Sequence, residues 1–144
     1  PRGNAATWFH EHGHLIDDMA KNISHDDKFQ KLLNDDYRAY MTSYGKSNNL
    51  KTFDKVQSAI SKDLSSMRKH SAVSDILEGV SEGNIRGVAG HGINYWKKNS
   101  DALSSEAFAH MYEAQFDKTR YSEMQKYFPN ALKYFENKLE EAVK

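Results

Sequence analysis

Residues 7–16 read TWFHEHGHLI, and this stretch decides how the rest of the chain is interpreted. It contains the spacing H-E-x-x-H at His10, Glu11 and His14. On an α-helix, residues four apart lie on one face, so both imidazoles can reach one ion. Glu11 is rotated by about 100° from His10, which puts its carboxylate beside such an ion rather than on it. We therefore predict a helix over about residues 5–21, with Asn4 as its N-cap, that carries two metal ligands and a base.

The triplet is suited to hydrolysis. A zinc ion lowers the pKa of a water molecule to about 7, so that Glu11 can take a proton from it during attack on a carbonyl group. The same acid can then deliver the proton to the leaving amine. The competing interpretation is an amphipathic helix with accidental histidines. Because the His and Glu content gives only about 0.02 chance occurrences of the pattern, we favour the metal site.

The same helix is predicted to separate its packing face from its site face. The site face carries the metal ligands His10 and His14. We expect the other face to pack against the core, with His12 as a structural histidine within it. The residues of the predicted packing face are Trp8, His12, Leu15, Ile16 and Met19.

The third metal ligand is expected on a second helix, since catalytic zinc usually has three protein ligands and His₂Glu is one known set. Residues 104–113 read SSEAFAHMYE and predict a helix over about 105–117 that Ser104 caps. Glu106 on its polar face is the expected ligand. His110 is the alternative, either as a ligand itself or as a group that supports the site. A solvated acidic stripe is the competing interpretation of this face.

Three acids are candidates to orient the metal-bound imidazoles by accepting hydrogen bonds from them. They are Asp17, Asp18 and Glu113. For at least one of the two aspartates, ordinary surface charge is the alternative.

Residues 79–92 contain five glycines and cannot form a regular helix. A short strand or hairpin near 85–92 is the most sheet that we expect. His91 and Tyr95 follow closely and can donate hydrogen bonds to the oxyanion that forms during attack. A plain connecting loop, in which Tyr95 and Trp96 are packing anchors, is an equally open interpretation.

Composition indicates a compact, mainly α fold in one domain over residues 1–144. The other predicted helices cover about 26–41, 52–68, 73–80 and 129–143, with a loop at 44–49. The formal net charge is zero, which gives no support to nucleic-acid binding. No apolar run approaches the roughly 20 residues of a membrane span. The chain has no cysteine, so imidazole and carboxylate would have to hold any transition metal. Because it begins without Met, we expect it to be a segment of a longer chain.

The residues Trp8 to His14, followed by Ser105 to Ala109, resemble the gluzincin type of zincin metallopeptidase. Residues 74–79 and 90–96 are similar to compact peptidase-like domains of phage minor head proteins. The resemblance implies a zinc-dependent endopeptidase in which His10, His14 and Glu106 bind Zn²⁺ and Glu11 is the base. It implies protein or peptide substrates, with phage structural proteins as further partners and a virion or the bacterial cytoplasm as location.

The chain departs from this family at one point. Zincins normally have a small sheet before the active-site helix, and only about six residues precede that helix here. A second hypothesis is therefore a non-catalytic zinc-binding module with a structural or assembly role in a phage or prophage particle. A third is a helical partner-binding domain without metal, which predicts that His10, His14 and Glu106 lie far apart.

Overall fold

The computed structural model describes residues 4–19, 26–98 and 100–142, and these residues form helices and loops without a β-strand. The helices are α1 (Asn4–Met19), α2 (Asp27–Ser47), α3 (Phe53–Leu64), α4 (Ser71–Val80), α5 (Ile93–Lys98), α6 (Ala102–Ala114), α7 (Lys118–Tyr127) and α8 (Pro129–Ala142), with a 3₁₀ turn at Arg68–His70. The prediction of a mainly α fold is confirmed. Among the described helices, none combines the length and the hydropathy that a membrane crossing needs.

Side-chain caps explain where several helices begin. Asp26, Thr52 and Asp117 each precede a helix and accept a hydrogen bond from a backbone N–H of its first turn. The cap of α8 comes from a distant part of the chain. Asp36 on α2 is 3% exposed and accepts from the backbone N–H groups of Asn130 and Ala131 at 3.0 and 2.8 Å. These side chains satisfy donors that would otherwise lack partners at the helix ends.

Helix α6 lies at the centre of the fold and contacts α1, α2, α4, α5, α7 and α8. Its Phe108 and Met111 are almost fully buried in the apolar core. Glu106 and Glu113 on the same helix are also buried, at 5% and 4% exposure. The solvated acidic stripe is therefore wrong, because α6 is covered by neighbours on nearly every side.

The predicted packing face of α1 is wrong for Trp8 and Leu15, whereas Ile16 packs against the core as expected. Trp8 and Leu15 are 59% and 53% exposed, and His12 is half-buried. The face that packs on α6 contains Gly13 and Asp17, which are buried, together with the half-buried His10 and His14. The site face and the packing face are thus the same face. The prediction from apolar periodicity failed because Gly13 makes the closest contact between α1 and α6, and a glycine adds nothing to an apolar pattern. Met19 belonged to the predicted stripe, and its side chain lies outside the described residues.

Several element boundaries also differ from the prediction. The predicted loop at 44–49 is wrong, since α2 continues to Ser47 with the buried Gly45 packed inside it, near the side chain of Val56. Ser104 is not a cap but a buried residue within α6, which begins at Ala102. Asp117, expected at the end of that helix, instead caps α7. The predicted end of the first helix near residue 21 lies outside the described residues.

The segment between α4 and α5 has no strand, although a short one near 85–92 was allowed for. Its backbone donors have other acceptors. The N–H groups of Ile85 and Arg86 bond the hydroxyls of Ser81 and Ser61 at 2.9 and 3.0 Å. The N–H of Val88 bonds the backbone oxygen of Leu64 at 3.1 Å. Because these groups are already paired with α3 and α4, the loop needs no partner strand.

Candidate metal centre

Two imidazoles and one carboxylate from opposite ends of the chain converge between α1 and α6. His10 Nε2 lies 3.2 Å from Glu106 Oε1, and His14 Nε2 lies 3.3 Å from Glu106 Oε2. One ligand atom from each of the three residues lies within 4.8 Å of the others. This proximity contradicts the metal-free alternative, which predicted the three residues far apart.

The close approach of the two helices depends on Gly13. A Cβ on Gly13 would lie 2.9 Å from both the Cα of Ala109 and the Cβ of Tyr112. Only a glycine permits this spacing without movement of the backbone. Gly13 stands between His10 and His14 in sequence, so the contact sets how far both imidazoles reach toward Glu106.

The donor set is of a kind that can hold a transition-metal ion. The two imidazoles approach different oxygens of the Glu106 carboxylate, at 3.2 and 3.3 Å. The ligand types, two imidazoles and a carboxylate, are also those that zinc accepts. The described residues therefore include a buried group that can hold a metal ion.

Electrostatics also couples the residues of this cluster. Burial alone would raise the pKa of Glu106, but hydrogen bonds from His10, His14 and Tyr95 hold that pKa well below its usual range. The hydrogen bond with Glu106 raises the pKa of His14, and burial opposes that rise. A buried carboxylate that stays ionised needs compensating positive charge. A bound cation is one way to supply it.

Other groups stand behind the imidazoles, where they can orient them. His10 Nδ1 is buried and has no hydrogen-bond partner among the described residues, and Glu113 Oε1 lies 3.9 Å away. Ser105 Oγ lies 3.3 Å from His14 Nδ1. Glu113 pairs with His110 Nδ1 at 2.8 Å and forms no hydrogen bond with His10, so its role as an orienting acid stays a prediction. Asp17 is buried at 3% exposure, and the side chain of Asp18 lies outside the described residues.

His110 lies beside His10, with ring centroids 4.2 Å apart. Its Nδ1 bonds Glu113 at 2.8 Å and its Nε2 bonds Asp75 at 2.8 Å. Burial would lower the pKa of His110, but the two carboxylates outweigh it and raise the pKa to about 9. Two further groups of ligand-type atoms include this histidine. Because both of its nitrogens are already paired, we interpret His110 as a support of the site rather than a metal ligand.

The loop before α6 brings His91 and Tyr95 to the same place. The Tyr95 hydroxyl donates to Glu106 Oε2 at 2.7 Å. His91 Nδ1 pairs with Asp75 at 2.7 Å, and its Nε2 lies 3.9 Å from Glu106 Oε1. The two rings stack with centroids 4.1 Å apart. The sequence left open whether this segment is a plain connecting loop or part of the site. The contacts of Tyr95 and His91 place it next to the candidate metal ligand Glu106.

Glu11, the predicted base, is exposed on α1 and is not one of the clustered groups. Its charge contributes to the raised pKa of His14, after the hydrogen bond and charge of Glu106. His12, predicted as a structural histidine, is half-buried, and its Nδ1 lies 3.0 Å from the Tyr112 hydroxyl oxygen. Helix geometry predicts that Glu11 is rotated away from His10 and His14, and the exposure of Glu11 is consistent with that rotation.

Sequence reasoning missed two acids of α4 as parts of the site. Asp75 and Glu78 are 3% and 6% exposed in a helix that is buried along most of its length. Asp75 connects His91 and His110. The signal available in the sequence was the presence of two acids within the mostly apolar run of residues 72–80. Buried acids of this kind need partners, which points to a polar network.

No family model, curated protein or solved structure matches this chain.

Proposed function

We propose that the chain is a zinc-dependent endopeptidase with His10, His14 and Glu106 as its metal ligands. The observation that carries the proposal is the convergence of one ligand atom from each of these residues to within 4.8 Å of the others, beside the acid of an H-E-x-x-H sequence. Zinc would supply Lewis acidity toward a water molecule and a substrate carbonyl.

The residues around the ligands have complementary tasks. Glu11 is exposed and close in sequence to both histidines, so its carboxylate can accept a proton from water and return it to the leaving amine. The Tyr95 hydroxyl and the His91 imidazole lie beside Glu106. His91 can donate a hydrogen bond to a substrate oxygen that gains negative charge, and Tyr95 can do so if its single O–H proton turns from Glu106 to the substrate. Burial and the hydrogen bond to Glu106 raise the pKa of Tyr95, which keeps it a hydrogen-bond donor at neutral pH.

The residues of the site differ in their exposure to solvent. The side chains of His14 and His91 are 27% and 38% exposed, whereas that of Glu106 is only 6% exposed. A peptide would therefore reach the site over the imidazoles rather than over Glu106.

The test is zinc content together with hydrolysis of an unfolded protein such as casein. We expect one zinc ion per chain, lost in His10→Ala and retained in the control His70→Ala. His70 is also a part-buried histidine, but it pairs with Glu123 instead of Glu106. Glu11→Gln should retain zinc and lose hydrolysis. Hydrolysis that persists in Glu11→Gln, or zinc content that survives His10→Ala, would refute the proposal.

A second candidate function is a non-catalytic zinc-binding module with a structural or assembly role in a phage or prophage particle. It is favoured by the lack of a strand among the described residues, since zincins normally hold an extended substrate along a sheet edge. This candidate predicts one zinc per chain, a lower Tm on chelation and no hydrolysis of any unfolded protein offered. Hydrolysis that depends on Glu11 would exclude it.

A further inference from the structure

Glu78 is a buried carboxylate that contacts none of the three proposed metal ligands. It lies near the end of α4 and is 6% exposed. One of its oxygens, Oε1, accepts three hydrogen bonds. They come from the backbone N–H groups of His91 at 2.9 Å and Gly92 at 2.7 Å and from Trp96 Nε1 at 2.8 Å. Hydrogen bonds to an ionised acceptor are roughly twice as strong as neutral ones, so this acid is a firm anchor.

All three donors belong to the segment that carries His91 and Tyr95. The anchor holds the backbone of His91 directly, while Tyr95 precedes the anchored Trp96 on α5. The His91 side chain contacts Asp75, one turn before Glu78 on α4, and the Tyr95 hydroxyl donates to Glu106. Glu78 therefore holds the backbone and the indole of a segment whose other side chains contact Asp75 and Glu106.

Glycines of the segment are matched to this anchor. Gly92 has φ of +87°, a conformation that L side chains rarely adopt. A Cβ on Gly90 would overlap the Glu78 carboxylate, and a Cβ on Gly79 would lie 2.8 Å from the Trp96 ring. The lack of side chains at these glycines thus leaves room for the backbone and the Trp96 indole to contact the Glu78 carboxylate.

We infer that Glu78 is a positioning residue, which fixes the 90–96 segment so that Tyr95 and His91 are held over the site formed by His10, His14 and Glu106. The inference rests on the proposed peptidase function for its effect on turnover, but the anchor itself can be measured without turnover. Misplacement of a positioned group by about 1 Å can cost about 100-fold in rate. Loss of the anchor should therefore lower kcat much more than it changes KM or zinc content.

The experiment compares the zinc-loaded chain with Glu78→Gln, Glu78→Ala and the control Glu82→Gln. Glu82 is an exposed acid just after α4, so it tests the loss of charge without loss of the anchor. Glutamine retains an acceptor oxygen but not the charge. We expect kcat to fall about 10-fold in Glu78→Gln and about 100-fold in Glu78→Ala, with one zinc per chain in both.

Amide hydrogen exchange and the NMR resonance of the Trp96 indole N–H give the direct readout. In Glu78→Ala, the amides of His91 and Gly92 should exchange at least about 10-fold faster, and the indole resonance should move upfield. Glu78→Gln should be intermediate in both, and it keeps the test valid if the alanine variant fails to fold. The inference is overturned if Glu78→Gln leaves both the amide exchange of His91 and Gly92 and the Trp96 indole resonance unchanged. It is also overturned if these amides exchange faster in a Glu78 variant while kcat stays at the wild-type value. A wild-type chain that binds zinc without hydrolysis refutes the peptidase function instead, and the exchange data still decide the anchor.

Discussion

Replacement of Gly13 by alanine should separate zinc binding from folding. The added Cβ would lie 2.9 Å from two carbon atoms of α6, the Cα of Ala109 and the Cβ of Tyr112. Since carbon atoms prefer a separation of about 3.5–4.0 Å, the helices must move apart locally by about 0.6–1 Å. One of the two contacts is with backbone, so rotation of a side chain cannot relieve it.

The effect of Gly13→Ala on stability should be small because two contributions oppose each other. Alanine in a helix interior is favoured over glycine by about 1 kcal/mol. Overpacking of a tight contact costs about 1–3 kcal/mol. The net loss is therefore about 0–2 kcal/mol, which lowers the Tm by up to about 8 °C in a chain of this size.

The effect on zinc affinity should be large. Productive coordination distances tolerate only about 0.2 Å, whereas His10 and His14 would move away from Glu106 by several times that amount. Changes to groups that merely orient ligands already cost about 10–100-fold in metal affinity. We therefore expect Gly13→Ala to bind zinc at least about 100-fold more weakly than the wild type.

Competition titration against a chromophoric chelator measures the affinity, and thermal unfolding of the metal-free chain measures stability. Gly45→Ala is the matched control, because Gly45 is also buried in a helix but would meet a Val56 methyl group at 3.1 Å and lies outside the ligand cluster. We expect its zinc affinity to equal that of the wild type. A Gly13→Ala chain that binds zinc within about threefold of wild type would show that the helix spacing does not set the site.

Three further outcomes are expected. Glu106→Gln should weaken zinc binding at least about 100-fold in the same titration. The control Glu141→Gln, which changes an exposed acid, should bind zinc like the wild type. If Glu106→Gln and the wild type bind zinc equally well, Glu106 is not a ligand. Chelation of zinc should lower the Tm by roughly 5–10 °C if the metal was present at about 100 times its Kd, and an unchanged Tm would mean that no metal stabilises the fold. Asp26→Ala should cost about 1 kcal/mol of unfolding free energy in urea at pH 7, as expected for the loss of an N-cap. The hydrogen bond from Tyr134 lowers the pKa of Asp26, so its stabilisation is present above the unfolded pKa of about 3.9 and is lost as pH falls through the lower folded pKa. The difference between Asp26→Ala and wild type should thus shrink below about pH 4, and a constant difference would exclude this origin.

The ligand set was predictable because local helix geometry determines most of it. The spacing of His10 and His14 puts both imidazoles on one face wherever the helix lies. Glu106 could be chosen because a third ligand was needed and its helix presents ligand-type side chains at helical spacing. The structure brings all three together, while the metal itself stays a proposal.

The packing of α1 was not predictable from apolar periodicity. Trp8 and Leu15 have the spacing of a core stripe and are nonetheless exposed. The contact with α6 is made by Gly13, whose value lies in its lack of a side chain. Such a close approach depends on the size of the residue that the partner helix places opposite Gly13. That residue is Ala109, almost 100 positions away in the sequence.

Long-range polar partners were invisible for the same reason. Asp36 caps a helix that begins at Pro129, and Glu78 binds an indole on α5. Nothing in the local pattern of either acid names its distant partner. Helices α5 and α7 were also missed, since they are short and their boundaries depend on neighbours and caps rather than on a strong apolar repeat.

X-ray absorption spectroscopy of the zinc-loaded chain tests the central claim most directly, because it counts the atoms bound to the metal. We expect a four-coordinate shell at about 2.0–2.1 Å, with multiple-scattering features from two imidazoles that diminish in His14→Ala. A six-oxygen shell without imidazole scattering, or a spectrum that His14→Ala leaves unchanged, would contradict the assignment of His10, His14 and Glu106 as the zinc ligands.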